Sequence, residues 1–381
     1  EQYDLTKTLF GVASKSGGTA ETMSFFYTFH EMAANQNPLP GLQCISLTDP
    51  GSGLEKLSIE KAFKKIFSTP PEVGGRYSAL TEFGLVPAAL IGMDLDKFLK
   101  FAAQMESACS EKNIDENPGV TLGIVLGEAA KAGKDKLTFF ASPRIASFPQ
   151  WVEQLVAEST GKEGVGVMPV ADEEFTSTQP YGPDRLFVFL RLDEDENERL
   201  DDIAAKLSAS GADTITINLG DIYTLSQEFY RWEMATAVAG AVLGINPFDQ
   251  PNVQLAKTLA NESLAAYKAA GKLPVMQPLF TEEGIEVYAD SKKQNLSLVL
   301  NELLSINEEG KYVCILGFIP YGEAIEKQMG EIRTLIKDKY DITTTLGYGP
   351  RFLHSTGQLH KGGKNNGVYI QITNEIEHDI D

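Results

Sequence analysis

The chain alternates short apolar runs, rich in β-branched and aromatic residues, with longer stretches whose apolar positions recur at helical spacing. This alternation is typical of parallel βαβ units, and it predicts an α/β fold with doubly wound parallel sheets. The predicted strands are Thr8–Ala13, Leu42–Leu47, Lys65–Ser68, Leu137–Ala141, Gly166–Val170, Leu186–Leu192, Thr214–Leu219, Tyr312–Phe318, Thr343–Leu346 and Val368–Ile372. The predicted helices are Glu21–Ala34, Tyr77–Ile91, Leu95–Ser110, Pro118–Ala132, Phe148–Ser159, Glu198–Ser208, Leu225–Leu243, Val253–Ala270 and Gly322–Lys339.

A chain of 381 residues is longer than one ordinary core supports, so we expect several packed units. The pattern divides it into domains at 1–133 and 134–271 and a smaller C-terminal α/β portion at 272–381. The chain opens directly on a strand, whereas a doubly wound sheet usually has more elements before its first ligand-binding turn. We therefore expect the first domain to be incomplete at its N-terminus and the chain to be part of a longer protein.

Charge and cysteine usage limit the partners. The net charge of −20 argues against nucleic acid, whose phosphates need a basic surface. No apolar run is long enough to suggest a membrane span. Cys44, Cys109 and Cys314 each stand alone in an apolar segment, which is typical of buried thiols in a reducing cytoplasm. An anion would need a local site of backbone N–H groups and a few cations.

A turn rich in hydroxyl groups follows the first strand and opens the first helix. Its sequence is Ser14-Lys15-Ser16-Gly17-Gly18-Thr19-Ala20-Glu21-Thr22. The glycines allow close backbone approach, and the free N–H groups at the helix start favour an anion such as phosphate. A capped turn without a ligand explains the same residues, because Ser and Thr are favoured N-caps. Spacing alone leaves both interpretations open.

Four segments, of which this turn is the first, resemble motifs of the phosphoglucose isomerase family. Ser14–Thr22 resembles the family's S-K-T-x-T-T-x-E-T, with Gly18 where the family has threonine. The other three are Glu72–Ser78, which resembles x-x-G-G-R-[FY]-S, Glu158–Lys162, which resembles E-S-x-G-K, and Ile245–Lys257, which resembles I-N-x-F-D-Q-x-G-V-E-x-x-K. The sequences of three segments further resemble the isomerase half of fused transaldolase–phosphoglucose isomerase proteins. These segments are Leu155–Lys162, Asn246–Val253 and Gly349–Gly363.

This resemblance implies two sugar-isomerase domains and an aldose–ketose isomerase that interconverts glucose 6-phosphate and fructose 6-phosphate through a cis-enediolate. It implies no cofactor and no metal, and a transaldolase domain as a fused or associated partner. By the family's motifs, Glu158 is the base, Arg76 stabilises the enediolate and Lys257 helps to open the sugar ring. The implied substrate-binding residues are Ser14, Lys15, Ser16, Thr19, Glu21, Thr22, Gly75 and Gln250.

The ring-opening histidine is displaced relative to the family. The chain has four histidines, and none of them lies between Lys162 and Lys257, where the family places G-Q-H. However, the stretch from Gly349 to His360 resembles the family's G-P…T-N-G-Q-H. We expect His360, which follows Thr-Gly-Gln, to take this role, with His354 as the next choice. A neighbouring subunit supplies this histidine in the family, so a homodimer is an open alternative.

Three other functions stay under consideration. A non-catalytic sugar-phosphate-binding module of the same fold needs no base, so Glu158, Arg76 and Lys257 together argue against it. A dual phosphoglucose/phosphomannose isomerase tends to have threonine where Gln250 stands. An NAD dehydrogenase on a doubly wound fold would need fingerprint glycines and a ribose carboxylate, which the sequence lacks.

Overall fold

The computed structural model describes residues 4–179, 181–272, 276–305 and 310–375, and leaves the side chains of 253–257 and 260–261 undescribed. The chain forms two compact units. Unit 1 comprises Glu1–Ser107 and Tyr223–Tyr230, and unit 2 comprises Ala108–Ile222 and Arg231–Asp381. His378 lies outside the described residues.

Unit 1 is built on a three-stranded parallel sheet with helices connecting the strands. Its strands are β1 (Phe10–Ala13), β2 (Cys44–Thr48) and β3 (Lys65–Ser68), in the order β1-β2-β3. Its helices are α1 (Ala20–Ala34), α2 (Gly53–Glu60), α3 (Glu82–Leu90) and α4 (Leu95–Cys109), the last of which ends in unit 2. Every residue of β2 is buried, as expected for a central parallel strand, whereas β1 and β3 are partly exposed edges.

Unit 2 contains two parallel sheets. The first has the strands β4 (Lys136–Ala141), β5 (Met168–Val170), β6 (Arg185–Leu192) and β7 (Thr214–Leu219), in the order β5-β4-β6-β7. The hairpin that follows consists of β8 (Phe280–Glu282) and β9 (Ile285–Val287). The second sheet has the strands β10 (Tyr312–Phe318), β11 (Thr343–Tyr348) and β12 (Gly367–Thr373), in the order β11-β10-β12.

The helices of unit 2 connect these strands. They are α5 (Pro118–Lys131), α6 (Phe148–Thr160), α7 (Glu198–Ala209), α8 (Leu225–Leu243, which begins in unit 1), α9 (Pro251–Ala270), α10 (Leu296–Leu304), α11 (Glu323–Tyr340) and α12 (Gly357–Gly362). Among the helices that the structure describes, none combines the length and the hydropathy that crossing a bilayer would require.

The predicted division into 1–133, 134–271 and 272–381 differs from this organisation. The C-terminal portion shares a core with the preceding domain, because Val170 of β5 and Ala157 of α6 pack with Cys314 and Leu316 of β10. Burying the apolar face of β10 therefore requires residues on both sides of the predicted boundary at 271.

Helix α5 also belongs to unit 2, although the prediction assigned it to the first domain. Its glycines recur at every fourth position and form a smooth face against α8. A Cβ atom at Gly119, Gly123 or Gly127 would lie 2.5–2.7 Å from atoms of α8. This close approach fixes α5 to the part of α8 that lies in unit 2, beyond Tyr230.

Most predicted elements are present with ends shifted by one or two residues, but one helix begins later than predicted. The stretch from Tyr77 was predicted to be helical, whereas α3 begins at Glu82. Gly75–Tyr77 instead forms a short 3-10 turn that Ser78 closes by donating its hydroxyl to the Gly75 carbonyl oxygen. Thr81 then caps α3 by accepting a hydrogen bond from the Phe83 N–H.

Candidate functional site

The Ser14–Thr22 turn of unit 1 uses two serine hydroxyls to organise its own backbone. Ser14 Oγ accepts a hydrogen bond from the Gly17 N–H, and Ser16 Oγ accepts one from the Gly18 N–H, both at 3.1 Å. A hydroxyl that accepts through its oxygen keeps its own hydrogen to donate. The turn is thus pre-shaped, with hydroxyl donors that can meet a bound anion.

Thr19 does not serve as a side-chain cap. It is the N-cap residue of α1, with an extended backbone, but its hydroxyl makes no capping hydrogen bond. The side-chain bonds of a capped turn come from Ser14 and Ser16 instead, so anion binding by this turn stays a prediction. Glu21 lies in the first turn of α1, and Thr22 lines a cavity of about 450 Å³ beside β1.

Gly17 is required by the shape of this turn. Its φ is +71°, and a Cβ atom there would lie 2.3 Å from the backbone nitrogen of Leu54. Only glycine satisfies both conditions without displacing the start of α2. Gly18, which stands where the family has threonine, is less tightly enclosed than Gly17. A Cβ atom at Gly18 would lie 3.3 Å from Ser16 Oγ.

Lys15 has partners within unit 1. Its ammonium lies 2.7 Å from Asp49 Oδ1 and donates to the Pro70 carbonyl oxygen at 2.9 Å. Thr69 donates its hydroxyl to the same Asp49 oxygen. The charge of Lys15 is therefore balanced by Asp49, and its ammonium holds the strand ends together.

Arg76 and Gly75 lie in the 3-10 turn before α3. The Arg76 side chain is buried and its guanidinium lies 5.4 Å from the Tyr77 ring centroid, within range of a cation–π contact. A Cβ atom at Gly75 would meet nothing within 4 Å. Packing does not require glycine at this position, so the open space beside its Cα is available to a ligand.

Glu158 lies in the last turn of α6 in unit 2. Its carboxylate accepts a hydrogen bond from Gln154 Nε2 at 3.3 Å, one helical turn earlier. The helix ends at Thr160, and the Gly161 N–H donates to the Ala157 carbonyl oxygen at 3.0 Å. The residues that follow Glu158 are fully buried, which fixes the end of this helix.

Lys162 joins the Glu158–Lys162 segment to the segment before α9. Its ammonium is 1% exposed and donates to the Asn246 carbonyl oxygen and to Asp249 Oδ1, both at 2.7 Å. It also donates to the Asp249 carbonyl oxygen. Two of the predicted motifs, far apart in sequence, therefore meet at one buried cation.

Gln250 and Lys257 flank the beginning of α9. The helix begins at Pro251 with Gln250 as its N-cap residue, and the Gln250 side chain makes no capping hydrogen bond. The side chain of Lys257 lies outside the described part of the structure. Its backbone lies in α9, so its role stays a prediction.

The C-terminal segment Gly349–Gly363 reaches the same place. Gln358 Nε2 donates to the Gly161 carbonyl oxygen at 3.0 Å and to Asn252 Oδ1 at 2.7 Å. Its Oε1 accepts from the Asn252 N–H at 3.1 Å. Unit 2 thus brings together three of the segments that were singled out in the sequence: Glu158–Lys162, Ile245–Lys257 and Gly349–Gly363.

The two candidate histidines have different surroundings. His360 is enclosed, with Nδ1 at 2.9 Å from Tyr312 Oη and Nε2 at 3.3 Å from Cys314 Sγ. Burial lowers the pKa of His360 to about 4, so the ring is neutral near pH 7. His354 is exposed, in the 3-10 turn Arg351–His354. His354 is thus the more accessible of the two rings, and which histidine meets substrate stays a prediction.

Two residues near Glu158 were missed by sequence reasoning. Gln358 was named only within a motif, although the contacts above give it a defined role. Lys361, three residues later, lies within electrostatic range of Glu158: burial lowers the pKa of its ammonium, and the Glu158 carboxylate opposes that change. The basic residues at the end of α12 were the available signal. In the described part of the chain, no cluster of His, Cys, Asp and Glu is suited to hold a metal ion.

Comparisons with known proteins agree with the motifs. The family model described as phosphoglucose isomerase matches residues 1–179. A probable glucose-6-phosphate isomerase of Methanococcus maripaludis is 30% identical over 70% of this chain and 67% of its own length. A glucose-6-phosphate isomerase of Prochlorococcus marinus is 28% identical over 82% of this chain and 63% of its own. This chain thus spans about two thirds of the length of such relatives.

The fold agrees as well. The crystal structure of a glucose-6-phosphate isomerase from Chlamydia trachomatis matches with a TM-score of 0.59 over 70% of this chain and 61% of that one. Its sequence identity of 18% supports the α/β fold with parallel sheets and nothing further. Motifs, sequence relatives and fold lead to one conclusion: the chain belongs to the phosphoglucose isomerase family.

Proposed function

We propose that this chain interconverts glucose 6-phosphate and fructose 6-phosphate, with Glu158 as the base. Relatives named glucose-6-phosphate isomerase support an aldose–ketose isomerase function. The observation that carries the proposal is the meeting of Glu158–Lys162, the start of α9 and α12 through Lys162 and Gln358. A solvated glutamate at a helix end needs no such framework around it.

The chemistry assigned to Glu158 is a proton transfer between neighbouring carbons. Its carboxylate takes the proton from C2 of the open-chain aldose. The electron pair of that C–H bond forms the C1–C2 double bond of the enediolate, while the π pair of the C1 carbonyl moves to O1. The hydroxyl proton of O2 passes to O1, the C2 carbonyl forms, and the same carboxyl returns its proton to C1, which gives the ketose. A positioned carboxylate contributes roughly a hundredfold to ten-thousandfold to such a step.

Arg76 is assigned to the negative oxygen of the enediolate. A guanidinium stays charged at any physiological pH, and burial strengthens its attraction for charge that develops during the reaction. The buried Arg76 side chain and the open space at Gly75 support this role.

The Ser14–Thr22 turn is assigned to the substrate phosphate. The donors are the hydroxyls of Ser14, Ser16 and Thr19, with the positive end of the α1 dipole. Glu21 and Thr22 remain proposed contacts. Because Lys15 is paired with Asp49, we assign it the support of the turn and leave phosphate binding to uncharged donors. Such donors suit a protein whose net charge of −20 repels the substrate at long range.

Ring opening is assigned to His354 with Lys257, and Gln250 is assigned to the sugar. The exposed position of His354 suits a residue that meets a substrate bound by another subunit, so we propose a homodimer as the catalytic form. His360 is assigned a supporting role under α12, because its ring nitrogens already have partners.

The proposed setting is the cytoplasm. The three cysteines are all free and buried, which fits a reducing compartment. Fusion or association with a transaldolase domain stays a prediction from the resemblance of Gly349–Gly363 and its companion segments.

The test is conversion of fructose 6-phosphate to glucose 6-phosphate by the purified chain, coupled to a glucose-6-phosphate-specific dehydrogenase in excess EDTA. We expect turnover that EDTA does not affect. Mannose 6-phosphate, supplied as a second substrate, should react far more slowly. Binding of fructose 6-phosphate without turnover would contradict the proposal and favour a non-catalytic binding module.

A further inference from the structure

We propose that Gln358 is a positioning residue for the isomerase reaction, which holds the end of the Glu158 helix at a fixed distance from the first turn of α9. The inference rests on the proposed function of Glu158. It adds a residue for which the family motifs gave no role.

The contacts of Gln358 occupy nearly its whole hydrogen-bonding capacity. Both amide hydrogens are donated, one to the Gly161 carbonyl oxygen at 3.0 Å and one to Asn252 Oδ1 at 2.7 Å. The amide oxygen accepts from the Asn252 N–H at 3.1 Å. The side chain is 1% exposed, so water does not replace these partners when the amide is removed.

The two segments that Gln358 joins are those that carry the proposed chemistry. Gly161 caps α6 three residues after Glu158, and its carbonyl oxygen is oriented by the helix end. Asn252 is the second residue of α9, the helix that begins beside Gln250. In sequence, 197 residues separate Gly161 from Gln358, and 106 separate Asn252 from it.

Close packing around this amide leaves little room for adjustment. A Cβ atom at Gly161 would lie 2.3 Å from the Leu359 Cα. A Cβ at Gly362 would lie 2.7 Å from both the Gly161 oxygen and Asn252 Oδ1. The Gly164 N–H also donates to the Gly362 carbonyl oxygen at 2.9 Å. Helix α12 thus packs directly on the glycines of the Glu158–Lys162 segment, and Gln358 supplies the side-chain hydrogen bonds that join this segment to α9.

This geometry assigns Gln358 to catalysis through position. A misplacement of about 1 Å in a reacting group can lower a rate by roughly a hundredfold, even when binding is intact. Loss of the amide should therefore lower kcat more than it raises KM. A residue that only stabilised the fold would lower the melting temperature and leave the kcat of the folded fraction unchanged.

The experiment uses Gln358→Met, which keeps the length of the side chain and removes its polar atoms. We expect kcat to fall by about tenfold to a hundredfold, with KM changed by less than about threefold. Gln43→Met is the matched control. Gln43 lies in unit 1 and likewise donates its amide to two backbone carbonyl oxygens, those of Leu5 and Thr8. The kcat of the Gln43→Met variant should stay unchanged.

Asn252→Ala and the double variant complete the design. If Gln358 acts through Asn252, the double variant should have a kcat close to that of Gln358→Met, because the second change removes a contact already lost. Should Gln358→Met not fold, Asn252→Ala alone carries the test, with an expected fall in kcat of about threefold to tenfold.

The proposal is overturned if folded Gln358→Met, or folded Asn252→Ala in its place, keeps kcat within about twofold of the parent. It is also overturned if the reduction in kcat of the double variant equals the product of the reductions in the two single variants. Loss of activity in Gln358→Met while Glu158→Gln stays fully active would instead overturn the proposed function. The two failures are therefore distinguishable.

Discussion

His360 Nδ1 lies 2.9 Å from Tyr312 Oη, on the central strand of the second sheet of unit 2. Tyr312 Oη also lies 3.1 Å from Tyr369 Oη, and the Tyr369 hydroxyl donates to the His360 carbonyl oxygen. This small network attaches α12 to the sheet. Because α12 also carries Gln358, the sheet and the Glu158–Lys162 segment are connected through one short helix.

The enclosure of His360 predicts a pH dependence of stability. Burial lowers its pKa to about 4 in the folded protein, against about 6.5 in the unfolded chain. The unfolded state therefore binds more protons between these values, and the free energy of unfolding should fall as pH drops from about 6.5 to about 4, by at most about 1.4 kcal/mol per pH unit.

Urea denaturation of His360→Gln and the parent at several pH values measures this. The variant should lack the His360 contribution and show a shallower loss of stability in that window. His354→Gln is the control and should follow the parent curve. Identical slopes for the parent and His360→Gln would contradict the account.

The exposed His354 predicts a defect confined to cyclic sugar phosphate. His354→Ala should slow turnover of cyclic substrate by about tenfold or more, while open-chain substrate exchanges its proton with solvent at nearly the parental rate. His360→Ala, measured beside it, should affect both reactions together through its structural contacts. Full activity of His354→Ala on the cyclic sugar would remove this residue from ring opening.

The Thr19 hydroxyl makes no capping hydrogen bond, and we expect its removal to weaken binding of the substrate phosphate. Thr19→Val keeps the shape of the side chain and removes its donor, so KM should rise by about tenfold while kcat falls by less than about threefold. Phosphate contacts exist in both the ground state and the transition state, which explains the split. Thr28→Val, which removes a hydroxyl donated to the Ser24 carbonyl oxygen within α1, is the control. A larger effect on kcat than on KM would argue against phosphate binding by this turn.

The open space at Gly75 allows a test of ligand approach that does not disturb the packing of the protein. Gly75→Ala should leave the free energy of unfolding within about 1 kcal/mol, because its Cβ meets no atom within 4 Å. If substrate approaches this backbone, kcat/KM should fall by about tenfold or more. Gly17→Ala is the contrasting variant and should be strongly destabilised. An unchanged kcat/KM in Gly75→Ala would show that the space is not used.

The sequence predicted every described strand except those of the β8–β9 hairpin, and most of the helices, because apolar periodicity is a local property. Strand Tyr312–Phe318 and helix Leu225–Leu243 have the predicted ends. Helix α2 was missed, although Ser52 and Glu55 have the spacing of a capping box. Ser52 accepts from the Glu55 N–H as in such a box, and Glu55 accepts from the N–H of the preceding residue, Gly51. That signal is local and was available.

Other features were beyond local patterns. The hairpin β8–β9 turns at Glu283-Gly284, where both φ values are positive, and glutamate rarely marks such a turn. The proposed preference for His354 over His360 rests on burial, which a sequence motif does not report. The role of Gln358 depended on partners more than a hundred residues away. The motif resemblance identified the candidate segments, and the fold supplied their contacts.

Exchange of substrate hydrogen with solvent in Glu158→Gln tests the central claim most directly. Fructose 6-phosphate is incubated in deuterated water with each variant, and loss of the C1 proton signal is followed by NMR, with Glu163→Gln, an exposed glutamate nearby, as the control. We expect exchange to fall by about a hundredfold to ten-thousandfold in Glu158→Gln, with fructose 6-phosphate still bound, and to stay at the parental rate in Glu163→Gln. Exchange at the parental rate in Glu158→Gln would contradict the assignment of Glu158 as the base.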